Sequence, residues 1–176
     1  EKDKIWVDQY KLCFSKMLSV SGERTLQPAM MSPNVSHSSA VISLLLDDKK
    51  SLIELTSLCS SIVLDFYIKT LGRGNFYESS IKMLLIGIDK KYKSQLFSRT
   101  LQLNCLNKYY APLWEESWQA DFKADNWSKQ DARLKPFNTL TPNWQWSTPL
   151  RNWFERRLAL VEIDVITAMA LGLTLE

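Results

Sequence analysis

The sequence predicts an α+β fold in which short strands are followed by a helix-rich part with an irregular Trp-rich segment. Three observations carry this. Before Asp48, apolar residues alternate with polar ones or run in blocks of strand length. After it, they recur at helical spacing. Six of the seven tryptophans then fall between Trp114 and Trp153, where Pro136, Pro142 and Pro149 interrupt any period.

The elements follow in order. From Ile5 to Met17, "IWVDQYKLCFSKM" puts Tyr10, Leu12 and Phe14 on one face, as in a half-buried strand. "ERTLQPAMM" is short and extended, interrupted at Pro28 and again at Pro33. "SSAVISLLLDD" ends in a continuous apolar run that suits a buried strand. Asp47 or Asp48 can cap a first helix whose core positions are Leu52, Leu55, Cys59, Ile62 and Phe66, running to about Thr70 and stopping at Gly72. "FYESSIKMLLIGI" is extended or briefly helical. A second long helix covers Tyr92 to Tyr110, with Leu96, Phe97, Leu101, Leu103 and Tyr109 inward and Pro112 as its stop. The last helix, "NWFERRLALVEIDVITAMALG", is apolar on most faces and is expected to lie deep in the core. Two parts result: residues 1–90, α+β, and residues 91–176, helical and Trp-rich. Both ends read as cuts: the chain begins without Met inside a strand approach, and at the other end Gly172 closes one helix while Thr174 reads as the N-cap of another. A fragment of a larger chain is therefore expected.

Composition limits the possibilities. With 176 residues, 45% hydrophobic and 23% charged, the chain can bury a core. A net charge of +3 permits a nucleic-acid partner without requiring one. Cys13, Cys59 and Cys105 are far apart and odd in number, which predicts buried free thiols rather than disulfides or a zinc site. No apolar run reaches the roughly eighteen residues of a membrane span, and "EKDKIWVDQY" does not read as a signal peptide. The expected location is cytoplasmic, with no membrane partner.

Most catalytic chemistry is missing. His37, the only histidine, lies in a Ser-rich loop and reads as a solvated loop residue. "GRGNFY" lacks the lysine and hydroxyl of a phosphate-binding loop and the third glycine of a dinucleotide motif. Glu155 and Glu162 are seven residues apart on one helix face, with Arg156 and Arg157 as expected ion-pair partners. No catalytic, cofactor-binding or metal-binding residue is assigned to this chain.

Positive charge gathers between Phe66 and Tyr110, where eight Lys or Arg residues face two acids, Glu78 and Asp89. Such a run can neutralise phosphate. Arg73 stands between two glycines and could approach a base edge, and Asn75 offers an amide suited to adenine. On composition alone, "GRGN" is a helix C-cap followed by an exposed turn.

Several segments together resemble bacterial restriction–modification DNA adenine methylases of the type IIG kind. "GERTLQPAMMSPNVSHSSAVISLLL" resembles the opening of their target-recognition domain. "LIELTSLCSSIVLDFYIKTLGRGNFYESSIKMLLI" resembles the helix, glycine turn and apolar segment that follow. "SRTLQLNCLNKYYAPLWEE" and "TPLRNWFERRLALVEIDVITAMALGLTLE" look like the tail of a large phage-defence subgroup. Gly22 stands where that family more often has Asn, and the "NPPY"-type catalytic motif is absent. The resemblance implies a parent that binds S-adenosylmethionine and flips an adenine, with this piece supplying recognition and spacing. Under it, double-stranded DNA and the remaining domains of the parent are the partners. Arg73 and Asn75 are the candidate base readers, and Lys69, Lys82 and Arg24 the candidate phosphate contacts. The alternative is a structural or protein-docking module with no DNA contact of its own.

Overall fold

In the computed structural model, which describes residues 5–19, 21–84 and 86–173, Lys11–Ser15 forms β1, the centre of a three-stranded antiparallel sheet. Its neighbours are β2, Pro28–Met31, and β3, Val41–Leu44, so that Cys13 stands opposite Ala29 on one side and Ser43 on the other. Leu12, Cys13 and Phe14 are all buried, so both faces of β1 are covered rather than one. The start of the expected strand is instead a 3-10 turn, Trp6–Asp8. Lys11 holds that turn. Its ammonium donates to the carbonyls of Trp6, Val7 and Gln9 and lies 4.3 Å from the centroid of the Trp6 ring. Pro28 begins β2 rather than interrupting it, a position where a missing N–H is tolerated because the strand is an edge. The apolar run expected to be a buried strand supplies β3, the other edge, and every residue of β3 is only half-buried.

The first long helix is two helices. Asp48 caps α1, Lys49–Cys59, accepting from Ser51 N at 2.9 Å and Ser51 Oγ at 2.7 Å. A bend of 71° then separates it from α2, Ile62–Thr70. The cause is a run of hydroxyls that compete for the helix carbonyls. Thr56, Ser57, Ser60 and Ser61 donate to the carbonyls of Leu52, Ile53, Thr56 and Leu58, and Ser61 Oγ then accepts from Leu64 N to start the new helix. The bend turns two expected core residues outward: Ile62 is 51% exposed and Phe66 66%. A single-turn helix, α3, follows at Glu78–Ile81. These elements lie in one compact unit, Glu1–Ile86.

The second unit, Gly87–Glu176, is built on α4, Lys90–Asn104, packed against α6, Trp153–Ala170. The helix expected to reach Tyr110 stops at Asn104, where Cys105 leaves helical geometry (ψ 58°). Asn107 then caps a 3-10 turn, and Pro112 helps to start α5, Ala111–Ser117, instead of ending α4. Leu96, Phe97, Leu101 and Leu103 are buried as expected, but Tyr109 is exposed.

The Trp-rich segment is held by its indoles. Trp114 N–H donates to Thr141 O, Trp127 N–H to Lys135 O and Trp144 N–H to Cys105 O, each at 2.8–2.9 Å. Trp114, Trp118 and Phe122 form a ring cluster with centroids 5.4–6.0 Å apart. A buried indole with its one donor satisfied can anchor backbone that has no regular ladder.

The last helix is not the deeply buried apolar rod that its composition suggests. Its inward stripe is Glu155, Ala159, Glu162, Ile163 and Thr167, while Val161, Val165 and Met169 face outward. Thr174, the expected cap of a further helix, lies outside the described residues. The three cysteines are buried free thiols, and burial pushes those of Cys59 and Cys105 far above the ordinary range.

Candidate nucleic-acid interface

The "GRGN" turn starts where α2 ends. Gly72 takes φ +63°, the left-handed conformation that closes a helix most cheaply with glycine. The chain then runs back beside the end of β1. Leu18 N donates to Gly74 O, Phe76 N donates to Lys16 O, and Met17 and Asn75 form an isolated antiparallel bridge. Phe76 drops into the core against Phe14, with ring centroids 4.7 Å apart. The turn is thereby pinned to the sheet on one side and to α2 on the other. A Cβ placed on Gly72 or Gly74 would meet nothing within 4 Å, so the space on both sides of Arg73 is open.

Arg73 is half-buried. Its Nη1 donates to Ser79 Oγ at 2.6 Å and Ser80 Oγ at 3.2 Å, so among the described residues its charge is oriented by hydroxyls and not cancelled by a carboxylate. Lys69, on the last turn of α2, donates to the Gly22 carbonyl at 3.2 Å, again a neutral acceptor. Arg24 lies in the loop that this bond secures. That loop is fixed to α2 by Asp65, which is 2% exposed and accepts from Thr25 N and Leu26 N, both at 2.6 Å. Lys82 differs. It pairs with Glu78 at 2.8 Å on the exposed surface, and their hydrogen bond holds Glu78 below and Lys82 above their ordinary values. Asn75 spends its backbone on the bridge to Met17 and is half-buried.

Four of these five residues are therefore joined by one local scaffold: α2 carries Lys69, the turn carries Arg73 and Asn75, and the Asp65-clamped loop carries Arg24. Sequence reasoning missed what surrounds them. Asp65 was readable only as part of a helix face, because its role depends on the break at Ser61. Phe66 and Tyr77 are exposed aromatics beside the basic residues in the chain, and Lys16 lies 5.8 Å from the Tyr77 ring centroid. The turn sits at the carbonyl end of α2, the wrong pole of a helix for a backbone phosphate cradle. Any anion must be held by side chains.

The basic run read from Phe66 to Tyr110 is divided. Lys90, Lys91, Lys93, Arg99 and Lys108 belong to the second unit. Arg99 is 2% exposed and fully engaged there: Nε donates to Glu162 at 2.6 Å, Nη1 to Asp125 at 2.5 Å and Nη2 to the Asn126 carbonyl at 3.0 Å. It cannot serve a phosphate. The expected pairing of Glu155 and Glu162 with Arg156 and Arg157 gives way to longer connections. Glu162 also accepts from Ser128 N and Oγ, Glu155 accepts from Lys135 N, and Arg156 donates to the carbonyls of Leu103 and Leu150. The two carboxylates on one helix face thus fasten the irregular segment. A cavity of about 340 Å³ beside Glu162 is lined by Trp127, Val161, Val165, Ile166 and Met169.

His37 is not the solvated residue that its loop suggests. Its ring nitrogens lie 2.9 Å from Ser38 O and 2.9 Å from Ser43 Oγ, and Trp6 meets it edge-on at 5.5 Å. Among the described residues, no group of three or more His, Cys, Asp or Glu side chains is arranged to hold a metal ion. Among them, too, no single helix is long and apolar enough to cross a membrane. No family model matches the chain, and neither a curated protein nor a solved structure matches it.

Proposed function

We propose that the first unit is a duplex-DNA reader, the target-recognition part of a bacterial N6-adenine DNA methyltransferase of a restriction–modification or phage-defence system. The observation that carries this reading is the turn itself. Arg73 and Lys69 are held on a pinned scaffold by neutral acceptors, with open space around the flanking glycines. A cation oriented by hydroxyls keeps its charge for an external phosphate or base edge. Arg73 and Asn75 read bases in this account; Lys69 and Arg24 contact phosphate. Lys82 is the weakest member, since Glu78 already holds it. The methyl transfer, its S-adenosylmethionine and the base flipping belong to the remaining domains of the parent, in the cytoplasm; this chain supplies no catalytic residue.

A second reading, a docking module, is favoured for the second unit by the outward apolar stripe of Val161, Val165 and Met169 on α6. The two readings apply to different units. Binding of the 176-residue chain to labelled duplex DNA, followed as salt is raised, tests the first. The DNA reading predicts binding at low salt that falls steeply as counterions compete. No binding at low salt would overturn it.

A further inference from the structure

Trp146 is 68% exposed, yet it is rigidly mounted. The Arg151 guanidinium lies 3.8 Å from the indole centroid, covering one ring face. Arg151 is fixed in turn, because Nε donates to Trp146 O at 2.9 Å and Nη2 to Leu106 O at 3.0 Å. The supporting loop is secured at both ends. The Trp144 indole N–H reaches Cys105 O, Thr148 N donates to Gln145 O at 2.8 Å, and Leu150 N donates to Gln102 O at 3.0 Å. Such a plate loses little entropy when a second ring stacks on its open face.

Cations outnumber anions around the plate. Three cations bind the carbonyls of this one loop: Arg151 at Trp146, Lys135 at Ser147 and Thr148, and Arg156 at Leu150. None of the acceptors is charged. The segment from Leu140 to Asn152 contains no Asp or Glu. Two carboxylates also touch this region, Glu115 at the Trp144 backbone N–H and Glu155 at the Lys135 backbone N–H, and both keep their charge, so three cations stand against two anions.

We propose that Trp146 backed by Arg151 is a stacking platform for an unpaired nucleobase, with Lys135 and Arg151 supplying the positive field for the phosphates beside it. An aromatic face that accepts any base, set among cations, is how proteins bind single strands without reading sequence. This surface belongs to the second unit and the turn at Arg73 to the first, and the proposal does not rest on the reading of that turn.

The test uses the whole chain and three probes: a fluorescein-labelled oligothymidylate, an abasic phosphodiester oligomer of equal length, and duplex DNA. Trp146→Ala weakens oligothymidylate binding by about five- to a hundredfold and leaves the abasic oligomer unchanged, while Trp146→Phe retains most of the affinity. Circular dichroism of each variant confirms the fold. The proposal is overturned if wild-type chain fails to bind oligothymidylate at low salt, the result that a protein-docking indole would give. It is also overturned if Trp146→Ala changes nothing, or weakens the abasic oligomer equally. Duplex binding lost in Arg73→Ala alone bears on the recognition turn and not on this platform.

Discussion

Asp65 in the first unit and Glu162 in the second are both almost fully buried, and each connects a helix to an irregular stretch of chain. They do so differently. Asp65 receives two backbone N–H groups from the loop at Thr25 and Leu26. Glu162 receives a buried guanidinium as well as the Ser128 N–H and hydroxyl. The first unit keeps Lys69 and Arg73 near its surface on neutral acceptors; the second takes Arg99 inside and neutralises it with Asp125 and Glu162. The same residue type is thus a candidate ligand contact in one unit and internal structure in the other. Positive charge in the sequence does not distinguish them; the identity of the acceptor does.

The largest expected effect breaks the buried network. Arg99→Ala leaves Glu162 and Asp125 buried and uncompensated, which costs about 3–5 kcal/mol, read as a lower midpoint in urea. Adding Glu162→Gln to that variant recovers part of the loss. A loss no greater than that of a surface substitution would show that the network is not what holds α4 to α6. Next comes Asp65→Ala, which abandons two backbone donors and is expected to cost about 1–3 kcal/mol. Amide hydrogen exchange should rise at Thr25 and Leu26 while β1 stays protected.

A smaller effect attends the cap of α1. Asp48→Ala removes the bonds from Ser51 and costs about 1 kcal/mol. Those bonds, the one from the Ser51 backbone first, hold the Asp48 carboxyl below its ordinary value. A lowered carboxyl stabilises the fold above its unfolded pKa of about 3.9, and the contribution is lost as pH falls through the lower folded value. The difference between wild type and Asp48→Ala should therefore shrink only in acid below about pH 4. Smallest of all is Glu78→Gln. The exposed pair with Lys82 is screened by solvent, and no measurable change in Tm is expected at any salt concentration.

The α+β class, the strand-then-helix order and the buried cysteines were legible because they rest on periodicity and composition. What escaped depends on partners distant in sequence. The α1–α2 break comes from Thr56, Ser57, Ser60 and Ser61 each taking a helix carbonyl, which a hydrophobic period at Ile62 and Phe66 conceals. The last helix misled for a related reason. Glu155 and Glu162 are its inward residues, since donors 20 and 34 residues away reach them, whereas Val161 and Val165 are left outside. At the candidate interface, Arg73 and Asn75 could be singled out from "GRGN". The Ser79 and Ser80 hydroxyls that orient the guanidinium, and the Asp65 clamp beneath Arg24, could not.

The central claim is that the turn after α2 reads duplex DNA with Arg73 while Lys69 contacts phosphate. It is tested most directly by comparing Arg73→Ala and Lys69→Ala in selection from a randomised duplex library, with salt titrations of the recovered sites. Arg73→Ala should relax the sequence preference, as expected of a lost base contact. Lys69→Ala should retain the preference, weaken every site alike and reduce the salt slope by about one. An Arg73→Ala variant with unchanged preference and unchanged affinity would contradict the account.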